Sequence, residues 1–329
     1  MAELCSRRGG VIVRTHWSIR LVLLTLLLVV ASVRADDLLV AAYNVESGGA
    51  DIAKISARVG AIDGVAIWGF SEVEPAWVEG LVQGAALTET GQFAAILGTT
   101  GGNDRLAIVY DTNRLEYIAH QELGWINPMN RVRAPLVAEL RDKVSGQRFL
   151  FTVNHLYRSR ADQRHEQARL LNEWASKQTL PLIAVGDFNF DFQIEGGDTD
   201  ASRRDAGYDL FTAGGVMGWV RPATLARTTC PNRYEPAVLD FVFANTTALA
   251  WAKSSTILVS EEDCADVAGM PDHFPVLALF DLPRVSQEAA APPEASPVLS
   301  PPVTKAQILE RIGAIEKELA ELRRLVEGM

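Results

Sequence analysis

Pro181-Leu182-Ile183-Ala184-Val185-Gly186-Asp187-Phe188-Asn189-Phe190 is the stretch from which the rest of the chain can be read. The apolar run from Pro181 to Val185, bounded by turn residues, reads as a buried strand. It ends in Gly-Asp-x-Asn. Residues two apart in an extended chain face the same side, so Asp187 and Asn189 project together. One is a carboxylate that can bind a cation or take a proton from water, the other an amide that both donates and accepts hydrogen bonds. A polar pair at the mouth of a buried strand costs free energy unless it has partners. Gly, Asp and Asn are also turn formers, so this motif alone reads equally as a turn.

Working outward, other apolar runs end in the same way. Leu38 to Asn44 reads as a strand closing on Asn44, and Val65 to Val73 as one carrying Glu72 near its end. Phe149 to Asn154 is followed by His155, Val238 to Phe243 carries Asp240 inside it, and Asp272-His273 directly precedes Pro275 to Phe280. Each alone has a structural reading as a cap, a turn, a salt-bridge partner or a satisfied histidine. Together they place an amide, acid or imidazole at one strand end after another, all able to meet at one edge of two packed sheets. Carboxylates and an amide without cysteine suit a hard cation such as Mg²⁺, with Mn²⁺ or Ca²⁺ as substitutes.

Further strands are expected at Phe93–Leu97, Leu106–Tyr110, Leu115–Ala119, Leu136–Leu140 and Thr256–Val259. Helices are expected over Asp51–Ile62, Pro75–Leu87 and Ala161–Lys177, the last with Ala168, Leu171, Trp174 and Ala175 on one face. Residues Glu195 to Gly218 are polar and Gly-rich, a long loop with room for one helix. Strands outnumber helices, which points to a layered α/β sandwich rather than a strict βαβ alternation.

The series Tyr43-Asn44-Val45, Ser71-Glu72-Val73-Glu74, Arg105-Leu106-Ala107-Ile108-Val109-Tyr110, Val153-Asn154-His155-Leu156, Gly186-Asp187-Phe188-Asn189, Leu239-Asp240-Phe241 and Pro271-Asp272-His273-Phe274-Pro275-Val276 resembles the endonuclease/exonuclease/phosphatase superfamily, with the motifs in that family's order. The resemblance implies a deoxyribonuclease I-like, four-layered α/β sandwich: two packed, mainly antiparallel sheets flanked by helices. It also implies metal-dependent hydrolysis of phosphoric esters. Glu72 then matches the principal metal ligand, with Asn44 beside it. Asp187 matches the group that positions or deprotonates the attacking water, and Asn189 the amide that orients it and holds the phosphate. His273 matches the histidine at the scissile phosphate, Asp240 its orienting carboxylate, and Asp272 an acidic neighbour that helps hold metal or histidine. His155 matches a second phosphate-facing histidine, with Asp104 as its candidate carboxylate partner. Asn154 and Arg105 are candidate substrate contacts.

The ends of the chain carry different signals. Arg7, Arg8, Arg14 and Arg20, the apolar run Ile19 to Ala31 and the small residues at Val33-Arg34-Ala35 read as an export signal over residues 1–35. Retention as an N-terminal membrane anchor is the other reading. Domain residues 36–282 are followed by a Pro/Ala-rich linker, 283–304, and by a helix over 305–329. There Ile308, Ile312, Ile315, Leu319, Leu322 and Val326 keep a heptad spacing that suits a coiled coil and a homo-oligomer. Packing of this helix back onto the domain is the alternative. Export would place Cys230 and Cys264 in an oxidising compartment, where a pair of cysteines forms a disulfide; two buried thiols are the other reading.

Composition narrows the function. The chain is 48% hydrophobic and 22% charged, ordinary for a globular protein, and its net charge is −10. Past residue 35, where 26 basic residues face 40 acidic ones, it is −14. Such a body is unsuited to tight, sequence-independent grip on a polyanion, though a local basic groove such as one built from Arg158, Arg160, Arg164 and Arg169 is compatible with it. The expectation is an exported, Mg²⁺-dependent phosphodiester hydrolase of nuclease type. A phosphatase or phospholipid phosphodiesterase on the same site is the alternative. A catalytically inactive assembly domain fits less well, because Asn44, Glu72, Asp187, Asn189, Asp240 and His273 are all present.

Overall fold

A computed structural model describes residues 37–87, 91–194, 204–231, 237–260, 264 and 269–285. The stretches read as an export signal and as a heptad helix, and most of the linker between domain and helix, lie outside the described residues.

The strands are β1 (Asp37–Asn44), β2 (Val65–Val73), β3 (Phe93–Leu97), β4 (Arg105–Asp111), β5 (Leu115–Glu122), β6 (Leu136–Asp142), β7 (Arg148–His155), β8 (Leu182–Gln193), β9 (Met217–Trp219), β10 (Ala237–Asn245), β11 (Ala252–Ile257) and β12 (Val276–Asp281). The helices are α1 (Ile52–Gly60), α2 (Val78–Ala85), α3 (Ala161–Ala175), α4 (Ala206–Thr212) and α5 (Thr246–Leu249). Two six-stranded sheets form, in the orders β11-β12-β1-β2-β4-β3 and β5-β6-β7-β8-β10-β9. Each holds one parallel pair at its centre, β1 with β2 and β7 with β8; every other pairing is antiparallel. A parallel pair needs a crossover, and α1 and α3 supply the two.

Period-two alternation explains the layering. Leu38, Val40, Ala42 and Ile67 point from the first sheet into the space between the sheets. Their neighbours Ala41, Tyr43, Trp68 and Phe70 point outward to α1 and α2, against Ile55, Val59 and Leu81. On the second sheet Phe188 and Phe243 turn the other way and pack against Phe211 of α4, with Phe241 edge-on to Phe188. The sheets approach closely at Gly69, where an added Cβ would lie 2.3 Å from the Val185 side chain and 2.8 Å from that of Val153. The four-layered sandwich is the observed fold.

Several expected bounds shift for physical reasons. The stretch Pro75–Leu87 opens as a 3₁₀ turn, Pro75–Trp77, and becomes α-helical only from Val78 to Ala85. Strand β8 does not end at Val185 but runs on to Gln193, because a register shift against β10 lets the chain pass the Gly-Asp-x-Asn motif and resume pairing. β11 begins at Ala252 rather than Thr256. It is an edge strand with exposed Lys253 and Ser254, so no apolar run marks its start. In the region read as loop, α4 and β9 form, the helix capped by the Asp205 side chain on Gly207 N at 2.8 Å.

Candidate active site

The two central parallel pairs end at the same place, and this is what assembles the site. β1 and β2 deliver Asn44 and Glu72 at their carboxyl ends; β7 and β8 deliver His155 opposite Asp187. β10 places Asp240 across from Asp187, and the turn before β12 adds Asp272 and His273, held by a bridge between His273 and Thr229.

The backbone is bent to make this meeting. Glu72 has φ = 59° and Asn189 has φ = 52°, left-handed values that non-glycine residues seldom adopt. Both sit at register shifts, in β2 against β4 and in β8 against β10. Strain of this kind is kept where the surrounding structure over-determines it. At Gly186, with φ = 124°, an added Cβ would lie 2.0 Å from the Asn154 carbonyl oxygen. Glycine there lets β8 pass against Asn154 and turn Asp187 into the cluster.

Hydrogen bonds tie the side chains together. Asn44 Nδ2 donates to Glu72 Oε1 at 3.0 Å and to Asp187 Oδ2 at 3.2 Å, and Asn189 N donates to Asp187 Oδ1 at 2.9 Å. Asp240 Oδ2 is 2.7 Å from His273 Nδ1. His273 Nε2 stands 3.9 Å from Asp187 Oδ2, and His155 Nε2 stands 3.4 Å from the same oxygen. Asp187 is therefore flanked by two imidazoles. Asn189 Nδ2 donates to Leu156 O at 3.2 Å, which fixes the amide beneath the loop after His155. Asn154 is fully buried, donates weakly to the carbonyls of Thr152 and Val185, and leaves its Oδ1 without a partner.

The two histidines differ in charge. Burial and the cations Arg133, His273 and Arg158 hold the His155 pKa well below the ordinary range, so it is neutral. Burial alone would also lower His273. The carboxylates of Asp240, Asp187 and Asp272 outweigh it and push His273 up to about 10. Asp187 is raised to about 7 by burial and by Asp240 and Glu72, against the pull of His273.

The cluster is thus overloaded with negative charge, which is what a hard cation would relieve. Glu72, His155 and Asp187 offer ligand atoms within 4.8 Å of one another, as do Asp187, Asp240 and His273. The two carboxylates of the first set suit Mg²⁺, Mn²⁺ or Ca²⁺, while Asn44 presents its Nδ2 to both of them and takes Glu46 N on its Oδ1 at 3.1 Å. Asp272 stands outside both sets: its Oδ1 is 3.8 Å from His273 Nε2, which makes it a neighbour of the imidazole rather than a partner of Glu72.

Asp104 faces His155 with 3.9 Å between Oδ1 and Nδ1, and its other oxygen takes a 2.6 Å bond from Arg133 Nη1. Burial lifts the Asp104 pKa to about 6, Arg133 opposing and Glu72 adding. Arg105 does not enter the cluster. Its guanidinium donates to the carbonyls of Gly102 and Gly98 at 2.7 and 3.3 Å, so it shapes that loop instead of facing substrate. Cys230 and Cys264 form a disulfide beside the His273 turn, where Cys230 N donates to Asp272 O at 2.8 Å.

Two groups of functional residues were not singled out from the sequence for these roles. Arg133 is one. The other is the buried face of α3. Arg164 Nη1 donates to the carbonyls of Tyr157 and Arg158 at 2.9 and 2.7 Å, and its Nη2 pairs with Asp205 at 2.6 Å. Gln167 accepts from Tyr157 N at 2.8 Å and donates to Ile126 O at 3.1 Å. They clamp the loop that follows His155. Their signal is two polar residues interrupting the apolar stripe of Ala168, Leu171 and Ala175. Replacing Arg164 by Ala leaves the half-buried Asp205 with His165, 3.0 Å away, and the cap bond from Gly207 N. The expected loss is about 3 kcal/mol of stability, read as a lower urea midpoint at unchanged slope.

Comparison with known proteins agrees with this layout. The model of the Endonuclease/Exonuclease/phosphatase family matches residues 41–261. Among solved structures, the fold is shared with an endonuclease/exonuclease/phosphatase family protein from Bacteroides thetaiotaomicron, 21% identical with a TM-score of 0.56, over 74% of this chain and 97% of that one. It is also shared with a mannosyl-6-phosphatase of the same organism (20%, 0.54, 74% and 99%). TDP2 of D. rerio, in complex with a single-strand DNA product, is a further match (16%, 0.57, 74% and 98%). No curated protein matches the chain.

Proposed function

Since the chain belongs to the endonuclease/exonuclease/phosphatase family, whose members hydrolyse phosphoric esters, we propose that it is an exported phosphodiesterase of nuclease type. The observation that carries this reading is Asp187 between a neutral and a charged imidazole, in a cluster already crowded with carboxylates. Glu72, Asp104 and Asp187 lie within 4 Å of His155, and Asp240 and Asp272 within 4 Å of His273, the histidines placed to face a phosphate. A diester brings one negative charge into that field and a monoester close to two, so the field favours the diester.

A divalent cation held by Glu72 and Asn44, Mg²⁺ or in its place Mn²⁺ or Ca²⁺, would supply Lewis-acid polarisation of a phosphoryl oxygen. The remaining work falls to the chain's own groups. Asp187 accepts a proton from water as the water oxygen attacks phosphorus and the ester P–O bond breaks. Asn189 N and Asn44 Nδ2 hold the Asp187 carboxylate in place for this. His273, oriented and kept charged by Asp240, donates a hydrogen bond to the phosphoryl oxygens as their charge grows. Neutral His155, backed by Asp104, supplies a further polar contact at low electrostatic cost.

Export is supported by the signal-like N-terminus and by the disulfide, which persists in oxidising compartments. The heptad positions Ile308 to Val326 support self-association through residues 305–329.

The test is a substrate panel with the chain from residue 36 onward and Mg²⁺: bis-p-nitrophenyl phosphate against p-nitrophenyl phosphate. The diester should turn over at least about tenfold faster, the direction expected for a field of this sign. Preference for the monoester would replace this reading with a phosphatase, and turnover that survives EDTA would remove the metal from it.

A further inference from the structure

The loop from Leu123 to Pro135 joins β5 to β6, and it opens at the edge where the site lies. β6 starts with Leu136 paired to Val153, two residues before His155, so the loop emerges beside the carboxyl end of β7. Its far end carries Arg133, bonded to the Asp104 that faces His155. Its near end is tied by Gln167, which bridges Ile126 O to Tyr157 N.

The loop is tied by hydrogen bonds and presents apolar surface outward. Asn127 clamps Val132 in both directions, with Nδ2 to Val132 O at 2.6 Å and Val132 N to Oδ1 at 3.0 Å. Ala134 N donates to Thr100 Oγ1 at 2.9 Å. Met129 and Asn130 are held at φ = 53° and 55°. On this frame Trp125 is 61% exposed and Met129 64% exposed, among the most exposed large apolar side chains in the described residues. Arg131 and Arg133 follow within the loop, and Arg158 adjoins Tyr157, whose backbone N is held by the same Gln167 that holds Ile126 O.

We infer that this loop is a stacking platform for single-stranded nucleic acid: Trp125 receives an unpaired base while the exposed Arg131 and Arg158 meet the adjoining phosphates. The inference rests on the phosphodiesterase reading and names its substrate class. An exposed indole beside guanidinium groups is the pair of contacts by which single strands are bound without base reading. In a duplex the bases are already stacked and have no face to offer. A membrane is less suited to the loop, because the exposed Asn130 and Arg131 interrupt the apolar surface and would have to be dehydrated on insertion. The acidic remainder of the chain makes the grip local, so binding is weak and falls with salt.

The experiment is fluorescence anisotropy of a labelled mixed-sequence single-stranded DNA decamer with the full chain in EDTA, alongside Mg²⁺-dependent turnover of bis-p-nitrophenyl phosphate. Trp125→Ala should weaken decamer binding about tenfold, Trp125→Phe should restore most of it, and the small diester should turn over as in the parent chain. The duplex of the same sequence should bind more weakly than the single strand. Unchanged decamer affinity in Trp125→Ala would overturn the platform. So would Trp125-dependent binding to phosphatidylcholine vesicles with no effect on the decamer, which would assign the loop to a lipid surface. Failure of the parent chain to cleave the small diester would count against the phosphodiesterase reading alone, because the binding arm needs no turnover.

Discussion

Asp187→Asn should lower kcat on bis-p-nitrophenyl phosphate by about 10⁴-fold, the upper end of what a positioned general base contributes. The substitution keeps the shape of the side chain. Asn189 N still has an oxygen to donate to, now an amide oxygen in place of Oδ1 at 2.9 Å, so the loop geometry survives. What disappears is the acceptor for the water proton, together with the oxygen that takes the 3.2 Å bond from Asn44 Nδ2. A stability measurement separates this from misfolding. Asp187 has its folded pKa raised to about 7 from 3.8, so the folded state holds the extra proton and stability falls as pH rises through that window. The Asn variant carries no such penalty. In EDTA at pH 8 its melting temperature should equal or exceed that of the parent, while activity is lost. A variant that keeps more than about a hundredth of the parent turnover would remove Asp187 as the base.

That trade of stability for chemistry was partly legible in the residues. Asp187 and Asn189 stand out because a carboxylate and an amide interrupt an apolar run, and a polar pair in that setting needs partners. Strands β2 and β3 have the bounds expected from their apolar runs, because β-rich apolar stretches flanked by turn residues leave little freedom. The continuation of β8 past the motif was not legible. It depends on left-handed backbone at Gly186 and Asn189 and on a register shift set by β10, and none of these has a local pattern. Glu72 is the same case: its side chain is readable as a ligand, but the strained φ that aims it is tertiary. Arg133 lies in a loop where any arginine is by default solvated. Only its 2.6 Å bond to Asp104 gives it meaning. Arg105 shows the reverse, a residue inside a matching motif whose guanidinium is spent on loop carbonyls.

His273→Ala should cost about 10³-fold in kcat, and the loss should be similar for p-nitrophenolate and for alkoxide leaving groups. The geometry sets this second clause. In an in-line displacement the attacking water and the departing oxygen lie on opposite sides of phosphorus. His273 Nε2 is 3.9 Å from Asp187 Oδ2, the base for the water, so it stands beside the nucleophile and the equatorial oxygens rather than at the leaving side. With Asp240, Asp187 and Asp272 holding its pKa up to about 10, the imidazolium keeps its proton while charge develops on those oxygens. A group acting in this way stabilises the transition state whatever departs. A group that protonated the leaving oxygen would matter much less for p-nitrophenolate, which departs readily as the anion. Asp240→Asn tests the same point through the partner. It removes the carboxylate 2.7 Å from Nδ1, so part of the His273 loss should appear, and it should grow as the pH of the assay is raised and the imidazole deprotonates. A loss confined to the alkyl esters would instead make His273 the acid for the leaving group, and Asp240→Asn would then impair the alkyl esters selectively.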